Sequence, residues 1–155
     1  MQQRSNVVSA RSMCAVRPPE PSDYDRMADL AGQLGYPCTG EQIRMRVAEM
    51  QDSNQCAVYV ARLSGGQIAG WIGAYIFRAV EVDSCAEISG LVVDQQIRSR
   101  GIGRVLLEAA EEWARSRGCG AISVHSSAKR DRAQRFYANN GYQHIKTQKL
   151  LRKTL

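Results

Sequence analysis

The feature that most constrains this chain is a change of hydrophobic period at Gly101. Before it, Leu91-Val92-Val93 reads as a buried strand closed by Asp94. After it, Ile102, Val105, Leu106, Ala109, Ala110 and Trp113 recur at helical spacing, with Glu108, Glu111, Glu112 and Arg115 away from the centre of the stripe. A strand, a short turn and a glycine-opened amphipathic helix ending at Gly118 make the first half of a parallel crossover, and Ala121–His125 supplies the returning strand. Such a unit predicts an α/β sheet covered by helices on both faces.

The remaining segments predict elements around that unit. Met13–Val16 is a short strand stopped by Pro18-Pro19. Ser22-Asp23-Tyr24-Asp25 is a capping-box pattern ahead of Met27, Leu30, Ala31 and Leu34, with Gly35 as the stop. Thr39-Gly40-Glu41-Gln42 is a second one, ahead of Ile43, Val47 and Met50. Cys56–Leu63 and Gln67–Val80 flank the turn Ser64-Gly65-Gly66 and predict an antiparallel pair; Ala86–Val93 predicts a third strand. Lys129–Asn140 is a helix ended by Gly141, and Tyr142–Leu155 is expected to form one or two closing strands. A length of 155 residues predicts one domain, residues 13–155, behind a flexible arm at 1–12.

Composition narrows the function classes. No apolar run approaches the roughly 20 residues that span a bilayer, and the N-terminus lacks the apolar stretch of a signal peptide. A cytoplasmic protein without a membrane partner is expected. The five cysteines (Cys14, Cys38, Cys56, Cys85, Cys119) are odd in number and lack paired metal-type spacing, so they predict free thiols in a reducing compartment and no metal. Twenty-one Lys and Arg against 15 Asp and Glu leave a net charge of +6, which favours anionic partners. The charge lies in short clusters, Arg98/Arg100/Arg104 and Lys129/Arg130/Arg132/Arg135 among them, which suit a discrete polyanion better than nucleic acid.

The turn at Gly101 is where a polyanion would bind. The first N–H groups of a helix lack internal partners, and the helix dipole adds positive charge there. Glycines let an anion approach those groups, and three arginines surround them, so the segment reads as a pyrophosphate cradle. The alternative is that Gly101 and Gly103 only permit close helix–sheet packing. A Rossmann fingerprint fails because Leu106 stands where its third glycine belongs, and a Walker A loop fails because the chain has no Gly-Lys pair.

Arg98-x-x-Gly101-x-Gly103, after Leu91-Val92-Val93, resembles the [RQ]-x-x-G-x-[GA] signature of the GNAT superfamily of N-acetyltransferases. Ala133-x-x-Phe136-Tyr137-x-x-x-Gly141-Tyr142 resembles that family's A-x-x-[FL]-Y-x-x-x-G-[FY] segment. The resemblance covers nearly the whole chain and implies a mixed, largely antiparallel sheet of six to seven strands with a splayed pair. It also implies acetyl-CoA as co-substrate. Arg98, Ser99, Arg100, Gly101, Ile102, Gly103 and Arg104 would hold its pyrophosphate, and Leu91, Val92 and Val93 would pair with pantetheine along an open strand edge. Two departures stand out. The family often has proline in the turn before the signature, where this chain has Gln95-Gln96. It often has asparagine where this chain has Arg130, which would meet a CoA phosphate or simply face water. Phe136 belongs with the same site.

The reaction implied is direct attack of a primary amine of a small molecule on the acetyl thioester through a tetrahedral intermediate. A backbone N–H near Val92–Val93 would stabilise the oxyanion. Tyr137 is the candidate general acid, with packing beside Phe136 as its alternative role. Glu87 is the first candidate for the base, ahead of Glu81, Asp83 and His125. The acceptor would enter between the early helices and the Trp71–Arg78 strand, past Tyr36, Cys38, Tyr75 and Phe77. Alternatives are an acetyl-CoA-binding module without turnover and a peptide or protein amine acetyltransferase. A homodimer pairing the Trp71–Val80 and Lys146–Leu155 strands is left open.

Overall fold

A computed structural model describes residues 12–155, so residues 1–11, nearly all of the expected N-terminal arm, lie outside the described residues. The described chain falls into two compact units, one ending at Val124 and one running from His125 to Leu155.

The first unit is built on one sheet in the order β1 (Cys14–Arg17), β2 (Cys56–Leu63), β3 (Ile68–Phe77), β4 (Cys85–Val93), β5 (Ile122–Val124). All neighbours are antiparallel except β4 and β5, which run parallel on either side of the crossover helix α3 (Ile102–Ser116). Two earlier helices, α1 (Tyr24–Leu34) and α2 (Gly40–Gln51), join β1 to β2. Their Met27, Ala28, Leu30, Ile43 and Val47 form one core with Val58, Val60, Ile68 and Val92 of the sheet. The stripe of α3 covers the opposite face, as adjacent β3 residues show. A Cβ built on Gly70 would meet Leu106 of α3, whereas Trp71 donates from Nε1 to Met27 O of α1 at 3.1 Å. That Cβ would also lie 2.5 Å from Val92 O, so glycine is what lets β3 approach β4 here.

Local signals predicted these elements unequally. The Thr39 box forms as expected: Thr39 Oγ1 accepts from Gln42 N at 3.2 Å and Gln42 Oε1 accepts from Thr39 N at 3.0 Å. The Ser22–Asp25 box does not form. Pro21 opens a 3₁₀ turn first, and Asp23 turns back to accept from Glu20 N at 2.7 Å and from Arg17 Nη1 at 2.7 Å. The β3 strand stops at Phe77, short of Val80, which is fully exposed in the loop to β4.

In the second unit, α4 (Asp131–Asn139) lies inside the expected Lys129–Asn140 range. The expected closing strands are absent. Among the described residues the sheet has five strands rather than six or seven, and Gln143–Leu155 is exposed throughout, with Ile145, Leu150, Leu151 and Leu155 over 80% accessible. Strand character needs a hydrogen-bonding edge as well as a suitable sequence, and this segment joins no ladder.

Candidate active site

The site in the first unit is built on an unfinished ladder. The β4–β5 pairing covers only Ala86–Ile88 against Ile122–Val124. Beyond Ile88, β4 continues for five residues with no partner on that side within the unit. The departure coincides with a bulge: Gly73 faces Gly90 and Ala74 faces Ile88, which leaves Ser89 as the extra residue on β4. Bulges bend a strand and increase its twist, and this one turns β4 just where the pairing with β5 ends.

Alternation then fixes which groups face the gap. Asp94 N donates to Ala69 O of the residue preceding Gly70 on β3 at 2.8 Å, so Val92, two residues back, also turns its backbone groups toward β3. Leu91 and Val93 turn theirs the other way, and Val93 O accepts from Arg98 Nε at 3.2 Å. The open edge thus offers Leu91 N–H and C=O and Val93 N–H.

The strand leads into the glycine turn. Ser99 has φ 65°, which makes it the one non-glycine residue with positive φ among the described residues, and Gly101 has φ 83°. Left-handed residues set among right-handed ones turn successive N–H groups into one concavity, a geometry that binds anions. Gly101 is the N-cap of α3 and supplies no capping side chain for the first N–H groups of that helix.

The three arginines do not all point at the mouth. Arg98 is committed to Val93 O, and Arg104 donates from Nε to Glu108 at 3.1 Å along α3. Arg100 is exposed and hydrogen-bonds to no described residue. Of the charge expected at the rim, that of Arg104 is thus balanced by a carboxylate, while Arg98 and Arg100 have no acidic partner within ion-pair distance among the described residues.

Glu87 lies on β4, paired across the strands with Tyr75 on β3 and Ser123 on β5. Tyr75 and Trp71 share a β3 face by alternation, which puts Glu87 on the face covered by α1 and α2. The Tyr75 phenol is pushed up to about 12 by burial, then by its hydrogen bond to Glu87 and the charges of Glu87 and Cys85. Of the expected acceptor lining, Trp71 and Cys38 instead pack against the α1/α2 core, whereas Tyr36 and Phe77 are exposed. Glu81 and Asp83 stand exposed in the β3–β4 loop, outside the sheet. The five cysteines are free thiols, and Cys14, the buried one, has its thiol pushed up by burial.

The second unit holds the other candidates. Tyr137 lies half-buried on α4, its ring 5.2 Å from Phe136 at 71° and 5.3 Å from Tyr142. Burial pushes its phenol up to about 12. Arg130 is the exposed N-cap of α4, and His125 is exposed.

Sequence patterns missed Arg26 and Gln33 on α1 and the role of Asp94. The Asp94 carboxylate is buried, paired with Arg26 Nη2, and accepts from Gln96 N at 3.1 Å; Gln33 Oε1 accepts from Gln95 N at 3.0 Å. The Gln96 bond, partly opposed by burial and assisted by Arg26, holds this carboxyl below the usual aspartate value. An aspartate two residues before a turn N–H was a local hint; Arg26 and Gln33 left none.

Residues 26–142 match the sequence profile of the Acetyltransferase (GNAT) family, and the chain belongs to that family. Among curated relatives, an aminoalkylphosphonate N-acetyltransferase of Salmonella typhimurium is 35% identical over 85 residues, covering 54% of this chain and 55% of that protein. An uncharacterised N-acetyltransferase of Bacillus subtilis is 42% identical over 52 residues, 34% of this chain and 37% of the relative. The chain thus spans about half or less of the length of these relatives. Among solved structures, an aminoglycoside N-acetyltransferase in complex with CoA aligns with TM-score 0.80 at 18% identity, over 92% of this chain and 95% of that one. Glucosamine-6-phosphate N-acetyltransferase from Arabidopsis thaliana aligns with TM-score 0.76 at 22% identity, over 90% and 97%. These two likenesses show the fold.

Proposed function

We propose that this protein is an acyl-CoA-dependent N-acyltransferase that moves an acetyl group from acetyl-CoA to a primary amine of a small molecule. The observation that carries this reading is the open Leu91–Val93 edge running into the concavity of Ser99, Gly101 and the uncapped start of α3. In this reading Leu91 N–H and C=O pair with the pantetheine amides, and the backbone from Arg98 to Arg104 receives the diphosphate. Arg100 supplies charge at the rim, and Arg130 and Phe136 contribute from the second unit. The carrier supplies an activated acetyl thioester. Val93 N–H, turned into the gap, stabilises the oxyanion; Val92 N–H belongs to the β3 ladder. Glu87 draws a proton from the amine through water, and Tyr137 returns one to the departing thiolate. The profile match runs through both units, which supports treating residues 13–155 as one acetyltransferase domain. Five free thiols fit a cytoplasmic setting.

A small-molecule acceptor is supported by the names of one relative and two structural neighbours, which concern amines on small polar molecules. The test is an acetyl-CoA turnover screen over aminoalkylphosphonates, aminoglycosides, amino sugars, polyamines and peptide N-termini, read as CoA release. Release with at least one small amine is expected. CoA binding without release across the panel would point to a binding module, and release with peptides alone to a peptide acetyltransferase.

A further inference from the structure

Two acidic side chains are buried among the described residues, Asp23 and Asp94, and the reaction as proposed uses neither. Asp23 joins the β1 end to the 3₁₀ turn before α1. Asp94 stands at the junction between the open strand and the glycine turn.

Residues Asp94–Ile97 form a four-residue turn closed by Ile97 N donating to Asp94 O at 3.0 Å. The N–H groups of the two central residues are also taken. Gln96 N donates to Asp94 Oδ1, and Gln95 N donates to Gln33 Oε1. Gln33 Nε2 reaches Asp94 Oδ1 at 3.5 Å, and Arg26 pairs with Oδ2 while its Nε donates to Ile68 O at 3.2 Å. Arg26 and Gln33 are seven residues apart, on one face of α1. Three consecutive N–H groups are thus satisfied within the protein, so an anion at this loop can be met only by N–H groups from Arg98 onward.

We propose that Asp94, Gln33 and Arg26 are positioning residues that hold the Arg98–Arg104 cradle in its binding conformation before the ligand arrives. This rests on reading that cradle as the diphosphate site. The loop carries a strained Ser99, and a strained conformation persists only where its surroundings over-determine it. The anchored turn supplies that determination from one end, and the start of α3 supplies it from the other. Tethering the turn to α1 also links cofactor binding to a helix that covers the Glu87 face of the sheet.

The test compares dissociation constants for CoA, which carries the diphosphate, and pantetheine, which lacks it. Gln33→Ala and Asp94→Asn are each expected to weaken CoA by about 10–100-fold, the scale of a misplaced binding group, and to leave pantetheine unchanged. A merely structural role would weaken both ligands alike. The second arm is a rescue. Gln95 occupies the turn position that favours proline, and proline has no N–H to satisfy. Gln95→Pro in the Gln33→Ala background should therefore recover CoA affinity. Unchanged CoA binding in Gln33→Ala and Asp94→Asn, or equal losses for both ligands, would overturn the proposal. If the unaltered protein held CoA no more tightly than pantetheine, the cradle reading itself would fall, and the positioning role with it.

Discussion

Tyr137 shows how environment sets the role of a single side chain. With its phenol pushed up to about 12 by burial, it keeps its proton across the neutral range, as the proposed acid role requires. Tyr137→Phe should lower kcat by about 10²–10⁴ with a verified acceptor while leaving the acetyl-CoA KM in place. Full turnover in that variant would return Tyr137 to a packing role. The same shift has a linkage consequence. Because the folded value lies above the ordinary 10.0, the contribution to stability is complete below that pH and is lost as pH rises toward about 12. In an alkaline ultraviolet titration, the tyrosinate signal missing from Tyr137→Phe should lie near pH 12; finding it near pH 10 would contradict the burial. The residue type was legible from Ala133-x-x-Phe136-Tyr137. Its protonation was not, because burial depends on what the rest of the chain places around the ring.

At the scale of elements, the glycine turn opens α3 as its sequence suggested, for a reason only partly visible there. Gly101 at φ 83° is both the left-handed residue and the N-cap of α3. Gly101→Ala should therefore cost about 1–2 kcal/mol and, if the strain is relieved by moving the loop, weaken CoA about tenfold in calorimetry. An unchanged dissociation constant would show that the conformation at Gly101 does not matter to the ligand. The helix start was legible because orphan N–H groups and amphipathic spacing are local properties. The anchoring of the turn was not: Gln33 and Arg26 lie 61 and 68 residues before Asp94, and no pattern in the chain pairs them. The Tyr142–Leu155 segment fails in the opposite sense, since its composition suggested strands and no edge takes them up.

For the whole molecule, acid is the informative perturbation. Asp94 is held low by its bond from Gln96 N, and Asp23 by Arg17 and Glu20 N against an opposing burial penalty. Both folded values lie below the ordinary 3.8, so their contribution is complete above about pH 4 and disappears as pH falls through the lower folded values. Melting temperature should therefore drop steeply only below about pH 4. In Asp94→Asn the neutral-pH melting temperature should be lower and the acid slope shallower. An acid slope identical to that of the unaltered protein would show that Asp94 contributes nothing to it.

The sequence by itself determined the order of most elements, the position of the glycine turn and the family, because hydrophobic period, helix caps and glycine placement act over a few residues. Tertiary structure alone decided which backbone groups stay open along β4, which arginine remains uncommitted, and which distant side chains hold the turn. Those outcomes depend on strand register and on partners far apart in the chain, and neither is written in a local pattern.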